Sequence, residues 1–321
     1  MRLERRRPRL HECEARKSAE DVRTERFDVA GRRDVAGGDA CVPVASATNH
    51  EPRTTNHEQR TMTTFIHSFQ SEWLKTKRSL AFWMVVIGGF FTPTIIIVAR
   101  LVKYSKVPEL YAAENFWNLL WKNSWESMAI FFLPLGAILS TSLTAQIEYK
   151  NNTWKQLHTL PLSYTTIFFA KLAVILVLML QFFVLFNIGI YLSAVVPYLL
   201  ISGTPYPSQP LPYDHFLREN LLYFVDTLPI VALQYLIALR FKNFLVPVGL
   251  GFVFWVGALA SLSWQFGYVI PYTYPMYNYL KAGVETKAAV PDVNIHVLAV
   301  IYFLIITAVS YVLYLGKKEK G

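Results

Sequence analysis

The residues best placed to do chemistry lie in a polar stretch, 148–171, between two long apolar runs. An apolar run of about 20 residues that stops in Lys, Asn, Gln and His marks the end of a lipid-embedded helix. Within the stretch, Trp154, Leu157 and Leu160 recur at a spacing of three. On a short helix they share one face, and an apolar face on a water-exposed loop requires a partner surface. The chemistry indicated is therefore recognition of a soluble partner.

Polar side chains inside the apolar runs form a second group of candidates. They are Gln181, Asn187, Asp226 and Gln234. Because polar groups are costly in lipid, these side chains must face other helices or a polar translocation path. Both alternatives stay open, and Asp226 also lies close enough to the predicted outer boundary to reach water.

Motifs for nucleotide, metal and hydrolase chemistry are missing from the sequence. The Gly-Lys pair at Gly316 has Tyr311 where a P-loop needs its first glycine. There is no His-Glu-x-x-His zinc helix and no Gly-x-Ser-x-Gly elbow. His158, His215 and His296 are widely separated, which favours interfacial or loop positions over metal ligation. We predict no catalytic residue, no metal site and no cofactor bound by this chain.

The composition is typical of a membrane protein. Of 321 residues, 53% are hydrophobic and only 17% are charged, so the bilayer must supply burial that one soluble core does not need. The net charge of +9 raises nucleic acid as a partner, but the Lys and Arg residues gather in an N-terminal tail and at the edges of apolar runs. We therefore predict no nucleic-acid partner. Cys13 and Cys41 both lie in the tail, so the apolar body has no disulfide framework.

Six apolar runs predict an all-α integral membrane protein with six transmembrane helices. The runs are 80–99, 127–146, 167–196, 221–239, 244–264 and 295–315. The third is longer than a bilayer needs, so we predict that it tilts or bends and that Pro197 ends it. An even number of spans places both ends on the same side.

The distribution of Lys and Arg sets the orientation. They are more numerous near residue 62, in the loops after the second and fourth runs and at the C-terminus, which predicts both termini in the cytoplasm and the protein in the cell membrane. Four cations oppose this bias on the outer side: Arg100, Lys103, Lys106 and Lys122. In the outer loop 265–294, the aromatic sequence PYTYPMYNYL predicts a short element at the interface.

Residues 62–79 predict an amphipathic helix lying in the cytoplasmic interface. Phe65, Ile66, Phe69 and Trp73 recur at helical spacing, with polar residues opposite and basic residues at the end. The alternative is an ordinary start to the first span.

Residues 1–61 differ in composition from the rest of the chain. They hold 13 of the 31 Lys and Arg residues and no apolar run long enough for a signal sequence. A tandem near-repeat, TNHEPRT followed by TNHEQRT, immediately precedes Met62. Two interpretations fit: mistranslated upstream sequence with Met62 as the true start, or a disordered charged tail. The membrane domain is predicted to be 80–321.

The loop after the second run resembles that of the ABC-2 type transporter permeases. The resemblance rests on Glu148, Thr153-Trp154, Leu157 and Leu160-Pro161-Leu162-Ser163, followed by Lys171. In that family a Glu, a Gly-Thr pair, a leucine-rich turn and a Leu-Pro-x-Ser segment form the cytoplasmic link between spans two and three. This chain departs from the pattern at Asn152, where glycine is usual, although asparagine tolerates a left-handed backbone better than most residues.

The resemblance implies a coupling helix that docks on a separate cytoplasmic ATPase. The residues it assigns to coupling are Glu148, Thr153, Trp154, Leu157, Leu160 and Pro161. It also implies an exporter or resistance pump, in which ATP is bound by the partner and the permease pairs with a second copy or a sister permease. Two other classes stay open: a noncatalytic membrane scaffold or sensor, and an intramembrane enzyme, which needs paired Glu, His or Ser-His groups in different spans.

Overall fold

The structure is a computed structural model that describes residues 53–150, 163–207, 209–282 and 293–316. These residues are helical, with no strand among them. The α-helices within the described ranges are α1 (Arg53–Lys77), α2 (Leu80–Val102), α3 (Val107–Tyr111), α4 (Phe116–Ser127), α5 (Leu133–Lys150), α6 (Tyr164–Leu200), α7 (Tyr213–Arg240), α8 (Leu245–Ser261), α9 (Tyr274–Ala282) and α10 (Ile295–Gly316).

Five helical stretches are long and apolar enough to cross a membrane. They are Leu80–Val102, Phe116–Ile147, Tyr164–Leu200, Tyr213–Arg240 and Ile295–Gly316. The fifth predicted span, 244–264, forms α8, which has 17 residues. Its length is about 26 Å at 1.5 Å per residue, slightly short of a hydrocarbon core of about 30 Å. All six apolar runs thus form helices, and the predicted all-α membrane fold is confirmed.

Helices α2 and α6 cross at a close contact formed by small residues. A Cβ on Gly89 would lie 3.1 Å from Leu185 Cβ, and one on Gly189 would lie 2.6 Å from Pro93 Cγ. In lipid, where helices gain little from the hydrophobic effect, such close approach supplies the van der Waals contact that holds them together. This crossing is one of the most extensive in the bundle.

The second membrane-crossing stretch contains a π-helical turn, Met128–Phe132, between α4 and α5. The backbone N–H of Leu133 donates to the carbonyl of Met128, five residues earlier. Such a turn changes the helical register and frees backbone carbonyls from the usual ladder. The indole of Trp255 on α8 donates to the carbonyl of Ile130 at 2.8 Å, so the turn is held by a neighbouring span.

The prediction that Pro197 ends the third span is wrong: α6 continues to Leu200 with Pro197 inside it. Proline has no backbone N–H, so it leaves the carbonyl four residues earlier without its helical donor. That carbonyl belongs to Ser193, and Arg100 Nη1 on α2 donates to it at 2.7 Å. A side chain of another span thus replaces the missing bond, and the helix passes the proline.

Helix α1 begins at Arg53, upstream of the predicted start at residue 62. Its buried face is polar and consists of Ser68, Glu72 and Thr76, one helical turn apart, and the helix packs mainly on α6. Phe65 and Ile66 are 36% and 49% exposed. Phe65 and Ile66 therefore point away from the bundle, as an interfacial helix needs, whereas Trp73 is partly buried against the core.

The aromatic segment before α10 forms short helical elements, as predicted, and several of its tyrosines are buried among the neighbouring helices. It contains two short 3-10 turns, Gly267–Val269 and Pro271–Thr273, followed by α9. Tyr272, Tyr274 and Tyr277 are fully buried. The hydroxyl of Tyr272 reaches a side chain on α7, described below, so the segment folds back among the helices because a tyrosine can bury its ring while its hydroxyl is paired.

Candidate functional site

The predicted coupling loop joins α5 to α6. Thr153, Trp154, Leu157, Leu160 and Pro161 lie outside the described residues, and so does the side chain of Glu148, whose backbone belongs to α5. The far border of the loop is described. Ser163 is the N-cap of α6, and its Oγ accepts a hydrogen bond from the backbone N–H of Thr166 at 3.1 Å.

Several helix ends meet around this loop. Gln146 on α5 donates to the carbonyl of Phe241, just after α7, at 2.8 Å. The hydroxyl of Tyr235 on α7 donates to the carbonyl of Phe168 on α6 at 3.1 Å. Thr165 on α6 lies 2.7 Å from the hydroxyl of Tyr311, near the end of α10. The ends of α5, α7 and α10 and the start of α6 thus share one end of the bundle, as the predicted topology requires.

A buried charged junction connects α1 to α6 at the same end. Glu72 Oε2 lies 3.9 Å from Lys171 Nζ, and Glu72 Oε1 lies 2.5 Å from Lys75 Nζ. Glu72 and Lys171 are both buried. A buried carboxylate requires such pairing, and removal of one partner is costly because it leaves the other charge buried. Helix α1 is therefore attached to α6 within three turns of the loop.

Gln234 lies at the centre of a fully paired polar network. Its Nε2 donates to Ser142 Oγ on α5 at 2.9 Å and to the carbonyl of Pro247 on α8 at 2.6 Å. Its Oε1 accepts from the hydroxyl of Tyr272 at 3.1 Å. Both amide protons and the amide oxygen have protein partners, so this arrangement fits helix pairing.

Asn187 pairs with Asn220, a residue absent from the sequence-based candidates. Each amide donates to the other, at 2.8 and 2.9 Å, and each also donates to a carbonyl of its own helix. The pair lies on the wall of an apolar groove of about 700 Å³ between α6 and α7. Gln181 is half-buried on α6 and has no hydrogen bond within the described part of the chain. These two positions do not contact Gln234, so the polar candidates form separate sites.

Asp226 is fully buried and pairs with His296. Its Oδ1 lies 2.7 Å from Nδ1 of His296 at the start of α10. Its Oδ2 has no hydrogen-bond partner among the described residues, and neither does the hydroxyl of the buried Tyr274. The suggestion that Asp226 reaches water is therefore wrong, and His296, at the start of α10, pairs that helix with α7.

A metal site is not apparent in the described part of the chain. No group of three or more His, Cys, Asp or Glu residues lies close enough there to hold an ion. The contacts found there instead join spans to one another.

Comparison with protein families decides the class. The model of the family described as ABC-2 family transporter protein matches residues 68–258. This chain is an ABC-2 family permease. The match begins in α1, includes the loop between α5 and α6 and ends in α8. No curated protein and no solved structure matches the chain.

Membership in the ABC-2 family makes the protein a multi-pass membrane transport component, as the resemblance implied. The matched range covers the loop between α5 and α6 and all four polar candidates. It does not reach the aromatic segment or α10, which hold Tyr272 and His296. Two of the polar contacts that this ABC-2 permease makes therefore combine the family region with the segment that follows it.

Sequence reasoning missed the partners of the polar candidates. His296 is 70 residues from Asp226, and Tyr272 is 38 residues from Gln234. Asn220 was the easiest to find, because it immediately precedes the fourth apolar run and an asparagine there needs a partner as Asn187 does.

Proposed function

We propose that this ABC-2 permease is the transmembrane subunit of an ATP-driven exporter or resistance pump. Its partners are a separate cytoplasmic ABC ATPase and a second permease, either another copy or a sister chain. ATP is bound by the ATPase, and this chain contributes no catalytic residue. The single observation that carries the proposal is the family match over residues 68–258, which includes the loop between α5 and α6.

The coupling surface is the loop 148–163, through Glu148, Thr153, Trp154, Leu157, Leu160 and Pro161. The helix ends gathered beside it support this role, since a displacement of the loop acts directly on α5 and α6. Closure of the ATPase pushes the loop, and the spans change between inward and outward access by rigid-body motion. With the loop on the cytoplasmic side, where the ATPase binds, both termini also lie in the cytoplasm.

The polar candidates Gln181, Asn187, Asp226 and Gln234 are proposed to stabilise or line the path between helices. Gln234 and the Asn187–Asn220 pair are satisfied by protein partners, which supports a structural role for them. Asp226 keeps one carboxylate oxygen without a partner among the described residues, which supports a polar contact beyond His296.

The test measures co-purification with a candidate ABC ATPase, sought first in the neighbouring gene, and ATP hydrolysis by that ATPase. We expect Trp154→Ala to insert normally yet to weaken the complex at least roughly tenfold, because truncating a buried aromatic anchor commonly costs about 2 kcal/mol or more. Stimulated ATP hydrolysis falls with it. Lys155→Ala is the matched control and leaves both measurements unchanged.

Two outcomes contradict the proposal. If the double variant Trp154→Ala/Leu157→Ala binds the ATPase and supports ATP turnover as the parent does, the loop only connects two spans. Partner binding without any ATP turnover favours the scaffold or sensor.

A further inference from the structure

The outer end of α2 carries three cations that the positive-inside bias does not explain. Arg100, Lys103 and Lys106 lie within two turns of one another. In the structure all three line one groove of about 610 Å³, formed by the end of α2, the turn after it, α3 and one side of α4. The rest of the groove is mainly apolar and includes Ile95, Ile96, Leu110 and Leu120.

Arg100 is fixed in this groove by its neighbours. Besides its bond to the carbonyl of Ser193, its Cζ lies 5.2 Å from the ring centre of Phe116 and 5.4 Å from that of Tyr111. Burial raises the pKa of Tyr111, and its protonated hydroxyl donates to the carbonyl of Ala194 at 2.6 Å. The tyrosine therefore does not neutralise the guanidinium.

The two lysines are available for a ligand. Lys103 and Lys106 are exposed, and neither forms an ion pair within the described ranges. Among the described residues that line the groove, Glu109 is the one carboxylate, against three cations. An anion is therefore the ligand that the charge of this groove selects.

An apolar track leads from the groove along α2. Ile87, Phe91, Ile95, Val98 and Val102 occupy one face of the helix and are 45–72% exposed. From Ile87 to Val102 the track is about 22 Å long at 1.5 Å per residue, long enough for an acyl chain of one leaflet, which spans about half of a hydrocarbon core of about 30 Å. Cations above such a track match a molecule with an anionic head and an apolar tail.

We propose that this groove binds an anionic phospholipid of the surrounding bilayer, with its phosphate at Lys103 and Lys106 and an acyl chain along the exposed face of α2. This proposal requires that the chain is embedded in a bilayer, and it does not require coupling to an ATPase. It also gives a partner to the cations at this end of the first span, which the orientation bias does not explain.

The test uses the full chain in detergent with equal amounts of dioleoyl phosphatidylglycerol and dioleoyl phosphatidylcholine, which differ only in the headgroup. Bound lipid is measured by native mass spectrometry. We expect preferential retention of phosphatidylglycerol, and a loss of roughly tenfold or more in its affinity for Lys103→Gln/Lys106→Gln, since each cation near an anionic headgroup contributes several-fold.

Matched variants separate charge from other effects. Lys103→Arg/Lys106→Arg keeps the charge and the preference. Arg218→Gln removes an exposed cation at the same end of the bundle that does not line this groove, and it also keeps the preference. Because both lysines are exposed, the Gln variant retains the folded elution volume of the parent protein.

Three results overturn the proposal. Equal retention of the two lipids removes the headgroup requirement. If inorganic phosphate alone stabilises the protein as much as phosphatidylglycerol does, the groove binds anions without contacting an acyl chain. If the protein forms a lipid-free dimer that dissociates in the Lys103→Gln/Lys106→Gln variant, the groove binds a second copy of the chain.

Discussion

Single side chains inside the spans act mainly as connectors between helices. Gln234 joins α5, α7, α8 and the aromatic segment through one amide group. A buried amide in lipid cannot hydrogen-bond to water. It therefore stabilises the fold only when all of its protein partners are present. We therefore expect the loss in free energy of unfolding to increase with the number of hydrogen bonds of Gln234 that are removed.

We expect Gln234→Leu to lower the free energy of unfolding by about 1 to 3 kcal/mol, because it leaves the partners of the amide unpaired. Tyr272→Phe removes one hydrogen bond and costs about 0.6 kcal/mol, the average for such bonds in a membrane protein. Denaturant titration in mixed micelles measures both. An unchanged midpoint for Gln234→Leu combined with lost transport would instead assign Gln234 to a polar path.

At this scale the sequence identified which residues need partners but not the partners themselves. Because a polar side chain is costly in lipid, Asp226 and Gln234 were identified as residues that need partners. The partners His296 and Tyr272 belong to segments that fold back from far along the chain, and no periodicity in one sequence encodes that return.

Helices pack through small contacts that tolerate little change. At the crossing of α2 and α6, a Cβ on Gly189 would lie 2.6 Å from the Pro93 ring, which cannot rotate away. Ordinary van der Waals contact begins about 1 Å further out. The crossing must therefore open to accept even one methyl group.

We expect Gly189→Ala to destabilise the protein by about 1 to 3 kcal/mol, the usual cost of overpacking a well-packed contact. Gly257→Ala on α8 is the matched control, because nothing lies within 4 Å of a Cβ at that position. Thermal unfolding followed by fluorescence-detected size exclusion compares the two. Equal unfolding temperatures would show that α2 and α6 adjust without cost.

Helix positions followed well from hydropathy, whereas helix ends and faces did not. Each of the six apolar runs became a helix. The extension of α6 past Pro197 depends on Arg100 of another span, and the buried polar face of α1 depends on Lys171 of α6. Ends and faces of this kind are decided by tertiary contacts, which a local pattern does not contain.

For the whole molecule, the topology is the most direct property to test. In a Cys13→Ser/Cys41→Ser background, which has no remaining native cysteine, we place a single cysteine by Asn152→Cys or Ser208→Cys. An impermeant maleimide applied to intact cells is expected to label position 208 and not position 152, because the cation bias places the loop 148–163 inside. The opposite pattern reverses the orientation.

The loop between α5 and α6 joins two helices that have different main neighbours. On one side, α6 is held by α2 and by α1, where Glu72 meets Lys171. On the other, α5 packs chiefly on α7, and Gln146 fastens its end to Phe241. In the proposed coupling role, a force on the loop would act on α5 and α6 together, and their contacts with α1, α2 and α7 would carry it to the other spans. A short connector would then be enough to move many helices.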